Sequence, residues 1–193
     1  MPPVAPPAAP PDGACLDARA VPAEVRPFVA PGACAAAVAR ADLDRDGRAD
    51  HVVVLGRPRP AGTAAWDDEA PRALLVLVAD PGGGVRLAAR NDRLVLCPGC
   101  GGAMGDPFVG VEARPGAFTV QHYGGSSWRW ATSVTFAYSR RDRAWQLVRV
   151  EEDQFHASEP AKVTHRVATP PRDFGKIDLR EFDPERWRGR GAR

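Results

Sequence analysis

The chain is poor in lysine, in asparagine and in long apolar runs. Among its 193 residues the only lysines are Lys162 and Lys176, and the only asparagine is Asn91. Arginine, alanine, glycine and proline abound instead, a bias that resembles the codon usage of a high-GC bacterial genome. No stretch approaches the roughly 18 apolar residues that a spanning helix needs, so no helical transmembrane segment is expected. The net charge of +2 is too small to argue for nucleic acid or an anionic membrane surface as partner. Nucleophile and phosphate motifs are also missing: there is no G-x-S-x-G, no H-E-x-x-H and no phosphate loop. His51, His122, His156 and His165 show no metal-ligand spacing. Glu151 and Glu152 are adjacent, so on a strand they point to opposite faces and make no acid–base dyad.

The N-terminus, "MPPVAPPAAPPDGAC", lacks the basic region and the apolar core of a signal peptide. Residues 1–13 read as an extended Pro/Ala-rich leader. Such leaders follow a removed signal or a lipid anchor, which points to the periplasm, the cell envelope or secretion. Residues 14–187 read as a single domain, and the basic tail 188–193 as disordered. Hydrophobic residues make up 44% of the chain, enough for a real core. The four cysteines, Cys15, Cys34, Cys97 and Cys100, permit two disulfides in three connectivities. Proximity in sequence favours Cys15–Cys34 and Cys97–Cys100, and export would make both natural.

The patterning is that of a mainly β, antiparallel domain, a sandwich or an open meander. A short helix is expected within 21–32, bounded by Pro22 and Pro31-Gly32. "AAAVARA" and "HVVVL" read as strands. "RALLVLVAD" (72–80) is a continuous apolar run of the kind a buried central strand carries. "DPGGG" (80–84) is a turn, "VRLAAR" and "RLVLC" are two further strands, and 56–71 is a polar loop. Over 117–150 a meander is expected. Gly124-Gly125 would form a two-residue type I′ turn pairing Tyr123 with Ser126, Gln121 with Trp128 and Thr119 with Trp130. A loop at 140–143 would pair Tyr138 with Trp145 and Phe136 with Leu147. The even positions Trp128, Trp130, Val134, Phe136 and Tyr138 then form one apolar face, and His122 falls on the opposite face with Phe118 and Val120. The scattered apolar residues of 169–187 would pack as an irregular C-terminal arm.

The most distinctive stretch is "ADLDRDGRADHVVVL" (41–55). Asp42, Asp44, Asp46, Gly47 and Asp50 spell D-x-D-x-D-G-x-x-D. A hard cation such as Ca²⁺ takes six to eight oxygen ligands, and carboxylates at loop positions 1, 3 and 5 converge when the loop curls. Gly47 permits the sharp turn, Arg48 would lend its backbone oxygen, and Asp50 would close the site. The bidentate glutamate that an EF-hand needs at position 12 is replaced by Val53, and the flanks read as strands. Residues 38–55 resemble the calcium loop of FG-GAP/VCBS repeats, found in integrin-type β-propellers and many secreted bacterial proteins. That resemblance implies Asp42, Asp44, Asp46 and Asp50 as ligands of a structural Ca²⁺. The motif occurs once, so a propeller of repeated blades is not expected. The alternative is a solvated acidic turn without an ion.

"CPGCGG" (97–102) admits three readings. It is a tight disulfide loop, a redox C-x-x-C, or a zinc knuckle like those of zinc ribbons and rubredoxins, with Cys15 and Cys34 completing the ligands. A ligand cleft is conceivable around 105–130. Tyr123, Trp128 and Trp130 would stack on a sugar or peptide there, with Asp106, His122, Ser126, Ser127 and Arg129 as polar contacts. The leading functional expectation is a non-catalytic binding module of the bacterial envelope, carrying a structural calcium and meeting an envelope ligand or protein. The alternatives are an envelope-polymer hydrolase using Asp106, His122 and Arg129, or a zinc or thiol protein using Cys97 and Cys100.

Overall fold

A computed structural model describes residues 15–58 and 68–186. The expected leader, the basic tail, Trp187 and most of the 56–71 loop lie outside the described residues. Among the described residues, nine strands form two antiparallel sheets. The first sheet is β1 (Cys34–Ala41), β2 (Asp50–Gly56), β3 (Arg72–Ala79) and β4 (Val85–Val95), in that spatial order. The second is β5 (Phe108–Arg114), β6 (Ala117–Gly125), β7 (Trp128–Ser139), β8 (Ala144–His156) and β9 (Thr164–Ala168), also in sequence order.

The sheets pack face to face. Val52, Val54, Leu74, Val76 and Val78 of the first meet Phe118, Val120, Val134, Phe136 and Leu147 of the second, all buried. The Phe118 and Phe136 rings stack at 5.6 Å. The outer face of the first sheet is buried as well. Val53, Leu75, Leu77 and Ala35 pack there against Val21 and Val25 of the N-terminal segment. Burial on both faces is why "HVVVL" and "LLVLV" are unbroken apolar runs rather than alternating ones. The N-terminal segment is fastened by the Cys15–Cys34 disulfide and by the Leu16 N–H donating to the Ala35 carbonyl at 2.8 Å.

The short helix expected within 21–32 is a single 3-10 turn at Arg26–Phe28, set in a run of turns. Pro22, Pro27 and Pro31 recur too closely for an i→i−4 ladder to propagate, and three-residue closures such as Val29 N–H to Arg26 O at 3.1 Å replace it.

The two strands expected after the "DPGGG" turn are one, β4. Its irregular middle is held by Asn91, whose side chain is buried. The Asn91 Oδ1 accepts from the Arg93 and Leu94 N–H groups at 2.7 and 2.6 Å. Its Nδ2 donates to the Leu179 and Phe182 carbonyls at 2.5 and 2.8 Å. The C-terminal arm is thus bolted to the first sheet, while its other side bonds β8 through Leu147 N–H to Ile177 O and Leu179 N–H to Trp145 O, each 2.9 Å. Leu179 and Phe182 plug this flank of the sandwich.

The β6–β7 hairpin departs from the expected register. Observed pairs are Gly125 with Arg129, Tyr123 with Ala131, Gln121 with Ser133 and Thr119 with Thr135. Gly124 and Gly125 lie within β6, and the turn falls on Ser126 and Ser127. This register aligns Phe118 with Phe136 and Val120 with Val134, apolar against apolar. The expected one set that apolar face against Gln121 and Thr119. The expected pairs Tyr138–Trp145 and Phe136–Leu147 are present. Beyond them a bulge intervenes, since Thr135 pairs with Arg149 and Phe136 with Leu147. The extra residue, Val148, inverts the alternation, so Leu147 and Val150 both face the core.

Candidate functional site

The aspartate loop joins β1 to β2 at the flank where the two sheets meet. Leu43, between the first two aspartates, is wholly buried in the inter-sheet core. That anchor turns the neighbouring carboxylates outward. Asp50 is also fully buried. Its Oδ2 accepts from Leu43 N–H at 2.7 Å and Asp44 N–H at 3.3 Å, and its Oδ1 from Ala79 N–H of β3 at 2.9 Å. Asp42 takes the Asp46 and Gly47 N–H groups, both at 3.0 Å, which curls the loop. Arg45, at φ 61°, closes on Gly116 of the β5–β6 turn, where a Cβ would lie 2.2 Å from its Nε. The Gly116 N–H donates to the Asp42 carbonyl at 2.8 Å. The loop therefore touches both sheets.

Oxygens of Asp42, Asp44 and Asp50 lie within 4.8 Å of one another. Ligands of one Ca²⁺, each about 2.3–2.6 Å from it, stand at most about 5 Å apart, so these three donors fit a hard cation. Burial, with the Asp50, Asp46 and Asp42 carboxylates alongside, pushes the Asp44 carboxyl above its ordinary value. An adjacent cation would relieve that repulsion. Asp46 stands apart from this group and receives the Arg48 guanidinium and the Arg48 N–H. The structure thus brings together three of the four expected carboxylates and pairs the fourth with Arg48.

The cysteines are joined as Cys15–Cys34 and Cys97–Cys100, with none free among the described residues. The 97–104 segment forms 3-10 turns broken at Gly102 rather than a helix. It seats on β6 by close glycine contact: a Cβ on Gly102 would lie 3.1 Å from the Gly125 carbonyl. At Gly124, a Cβ would meet the Trp130 ring at 2.6 Å and Gly101 at 3.1 Å. Close approach, and not turn formation, is what the Gly-Gly pair serves.

The cleft expected from Asp106, His122, Tyr123, Trp128, Arg129 and Trp130 does not form as one site. Asp106 is part-buried against the Arg72 guanidinium, which lies over the Phe108 ring at 5.4 Å. His122 is buried on the core face beside Phe118 and Val120, not on a polar one, because of the hairpin register. Its Nε2 accepts the Leu96 N–H at 3.3 Å, and its ring meets Phe108 edge-on at 6.1 Å. Both residues tie the two sheets together. Tyr123 is only half-buried and lines none of the larger grooves found among the described residues.

Trp128, Arg129 and Trp130 do line a groove of about 420 Å³. Its remaining walls are Ala131 and Thr132 of β7, Glu152, Asp153 and Gln154 of β8, and Arg166 of β9. Trp130 pairs with Gln154 and Thr132 with Glu152, so these side chains continue the core face beyond the point where the first sheet covers it. Trp128 is 66% exposed and stands edge-to-face with His156 at 5.2 Å. Asp153 bonds His165 at 2.6 Å, and Glu152 lies 3.8 Å from Arg166.

Comparison with protein-family models, curated proteins and solved structures finds no match. The meander expected over 117–150 stops short of the groove residues Glu152, Asp153 and Gln154 of β8, which runs to His156. The one signal that reveals them is the Leu-Val-Arg-Val bulge, which rephases the polar residues after it.

Proposed function

We propose that this chain is an extracytoplasmic, non-catalytic binding module of the bacterial envelope whose two sheets are stapled by a Ca²⁺ ion at the aspartate loop. The observation that carries the reading is the convergence of the Asp42, Asp44 and Asp50 carboxylates at the sheet junction. These three would hold the ion, and the ion would supply positive charge to a place that otherwise holds mutually repelling carboxylates. The two disulfides fit an oxidising compartment. No helix among the described residues is long and apolar enough to cross a membrane. A non-catalytic role is supported by the groups offered for hydrolysis, since Asp106 and His122 are spent on Arg72 and Leu96. The groove beside Trp128 is the binding face in this reading.

Thermal melts test the ion. At a hundredfold excess over its dissociation constant a ligand stabilises by about 2.7 kcal/mol. For a chain of this size that is about 5–10 °C between calcium and chelator. Asp42→Asn with Asp44→Asn is expected to abolish the difference. Identical melts of the native chain in calcium and chelator would overturn the calcium reading.

A further inference from the structure

We propose that the groove at the open end of the larger sheet binds an uncharged oligosaccharide, stacked on Trp128. This rests on the reading of the chain as a binding module and names its ligand class. Two observations lead to it. First, Trp128 is 66% exposed yet held upright against His156, so a large flat apolar surface is presented to solvent on a rigid strand end. The apolar face of a sugar ring suits an indole presented in this way. Second, the polar walls balance in charge. On the face that carries Trp128 and Trp130, Arg166 stands beside Glu152, with Gln154 and Thr132 next to them. A polyanion would meet the carboxylate, and a polycation the guanidinium group. A neutral polyol finds both donors and acceptors, each already positioned by cross-strand pairing.

The groove is large enough for the proposed ligand, since small-molecule sites run from about 300 to 1,000 Å³. It is a binding site and not a hydrolytic one. Glu152 is its single carboxylate on the Trp130–Thr132 face, whereas Asp153 belongs to the opposite pleat and is taken by His165. Glycoside hydrolysis uses two carboxyls flanking one bond.

The test is affinity electrophoresis of the oxidised chain through native gels containing neutral polysaccharides (α- and β-glucans, mannan, xylan and chitin oligomers). Parallel gels carry anionic polysaccharides and a polyglycine–serine peptide. Retardation by at least one neutral glycan is expected. Trp128→Ala should weaken it by about tenfold or more, as removal of a central aromatic anchor does. Gln154→Ala, an exposed substitution, is expected to weaken it less. Retardation by none of the neutral glycans, retardation only by anionic polymers or peptide, or retardation unchanged in Trp128→Ala would overturn the proposal. Each variant is melted with calcium and with chelator. A calcium shift without glycan binding sinks the ligand class alone. Glycan binding without any calcium shift sinks the ion and leaves the groove standing.

Discussion

Asn91 and Asp50 carry more of the fold than their neighbours, because each gathers several backbone groups in a dry place. Asn91 uses both of its amide hydrogens and its carbonyl oxygen on four backbone groups of β4 and the C-terminal arm. Asn91→Leu keeps the size and orphans all of them, so a loss of about 3 kcal/mol is expected. The urea midpoint should fall with the slope unchanged. Asp50 likewise satisfies three N–H groups. Asp50→Ala is therefore expected to cost about 3 kcal/mol even in chelator, whereas Asp42→Ala should matter mainly when calcium is present. Paired melts of the two variants separate the backbone-holding role of Asp50 from the ion-holding role that it shares with Asp42. Asp173 makes a pH prediction. The Arg172 side chain, then the Thr169 N–H, hold its carboxyl down to about 2 from 3.8. The folded value is depressed, so the stabilisation is complete above about 3.8 and is lost as pH falls through 2. A carbon-13 titration of the Asp173 carboxyl should show a midpoint near 2; an ordinary midpoint would contradict the arrangement.

Among the elements, the β6–β7 hairpin is the one whose sequence misleads. "YGGSSW" satisfies the rule for a type I′ turn, but the glycines are needed for another reason. The Trp130 ring and the Gly101-Gly102 turn close onto them. Gly125 alone takes a positive φ, 112°, with Trp128 O only 2.0 Å from where a Cβ would sit. Gly125→Ala is expected to destabilise by more than about 1 kcal/mol, while Ser126→Ala at the exposed turn leaves the melt unchanged. Strand identity was legible in β1 to β3 and in the meander, because apolar runs and alternation report burial directly, while β4 read as two strands because Asn91 interrupts its pattern. Disulfide pairing was legible from spacing. Register was not, since it depended on which face of β6 met Phe136, a question of tertiary packing. The aspartate motif was legible as a loop, but its Asp46–Arg48 pairing was not. The groove was illegible because one extra residue, Val148, rephases everything after it.

At the scale of the molecule, two sheets are closed along both flanks by different means: the aspartate loop on one, the C-terminal arm on the other. The disulfides hold lesser positions of unequal weight. Cys15–Cys34 spans 19 residues and fastens the segment covering the outer face of the first sheet. Replacing that pair with alanine is expected to cost about 3 kcal/mol, and replacing Cys97 and Cys100, which close a far shorter ring, about half as much. Guanidinium midpoints of the two double variants check the order; equal losses would refute it. The docking of the aspartate loop on Gly116 has a consequence for how the protein breathes. Amide hydrogens in the turns at 115–117 and 138–142 belong to the second sheet. Yet Gly116 N–H rests on the Asp42 carbonyl, and Tyr138 N–H rests on Gly116 O. Loosening the loop should therefore speed exchange with deuterated solvent at those distant turns before it is felt along β2, so that the second sheet becomes the clock on which the state of the first is read.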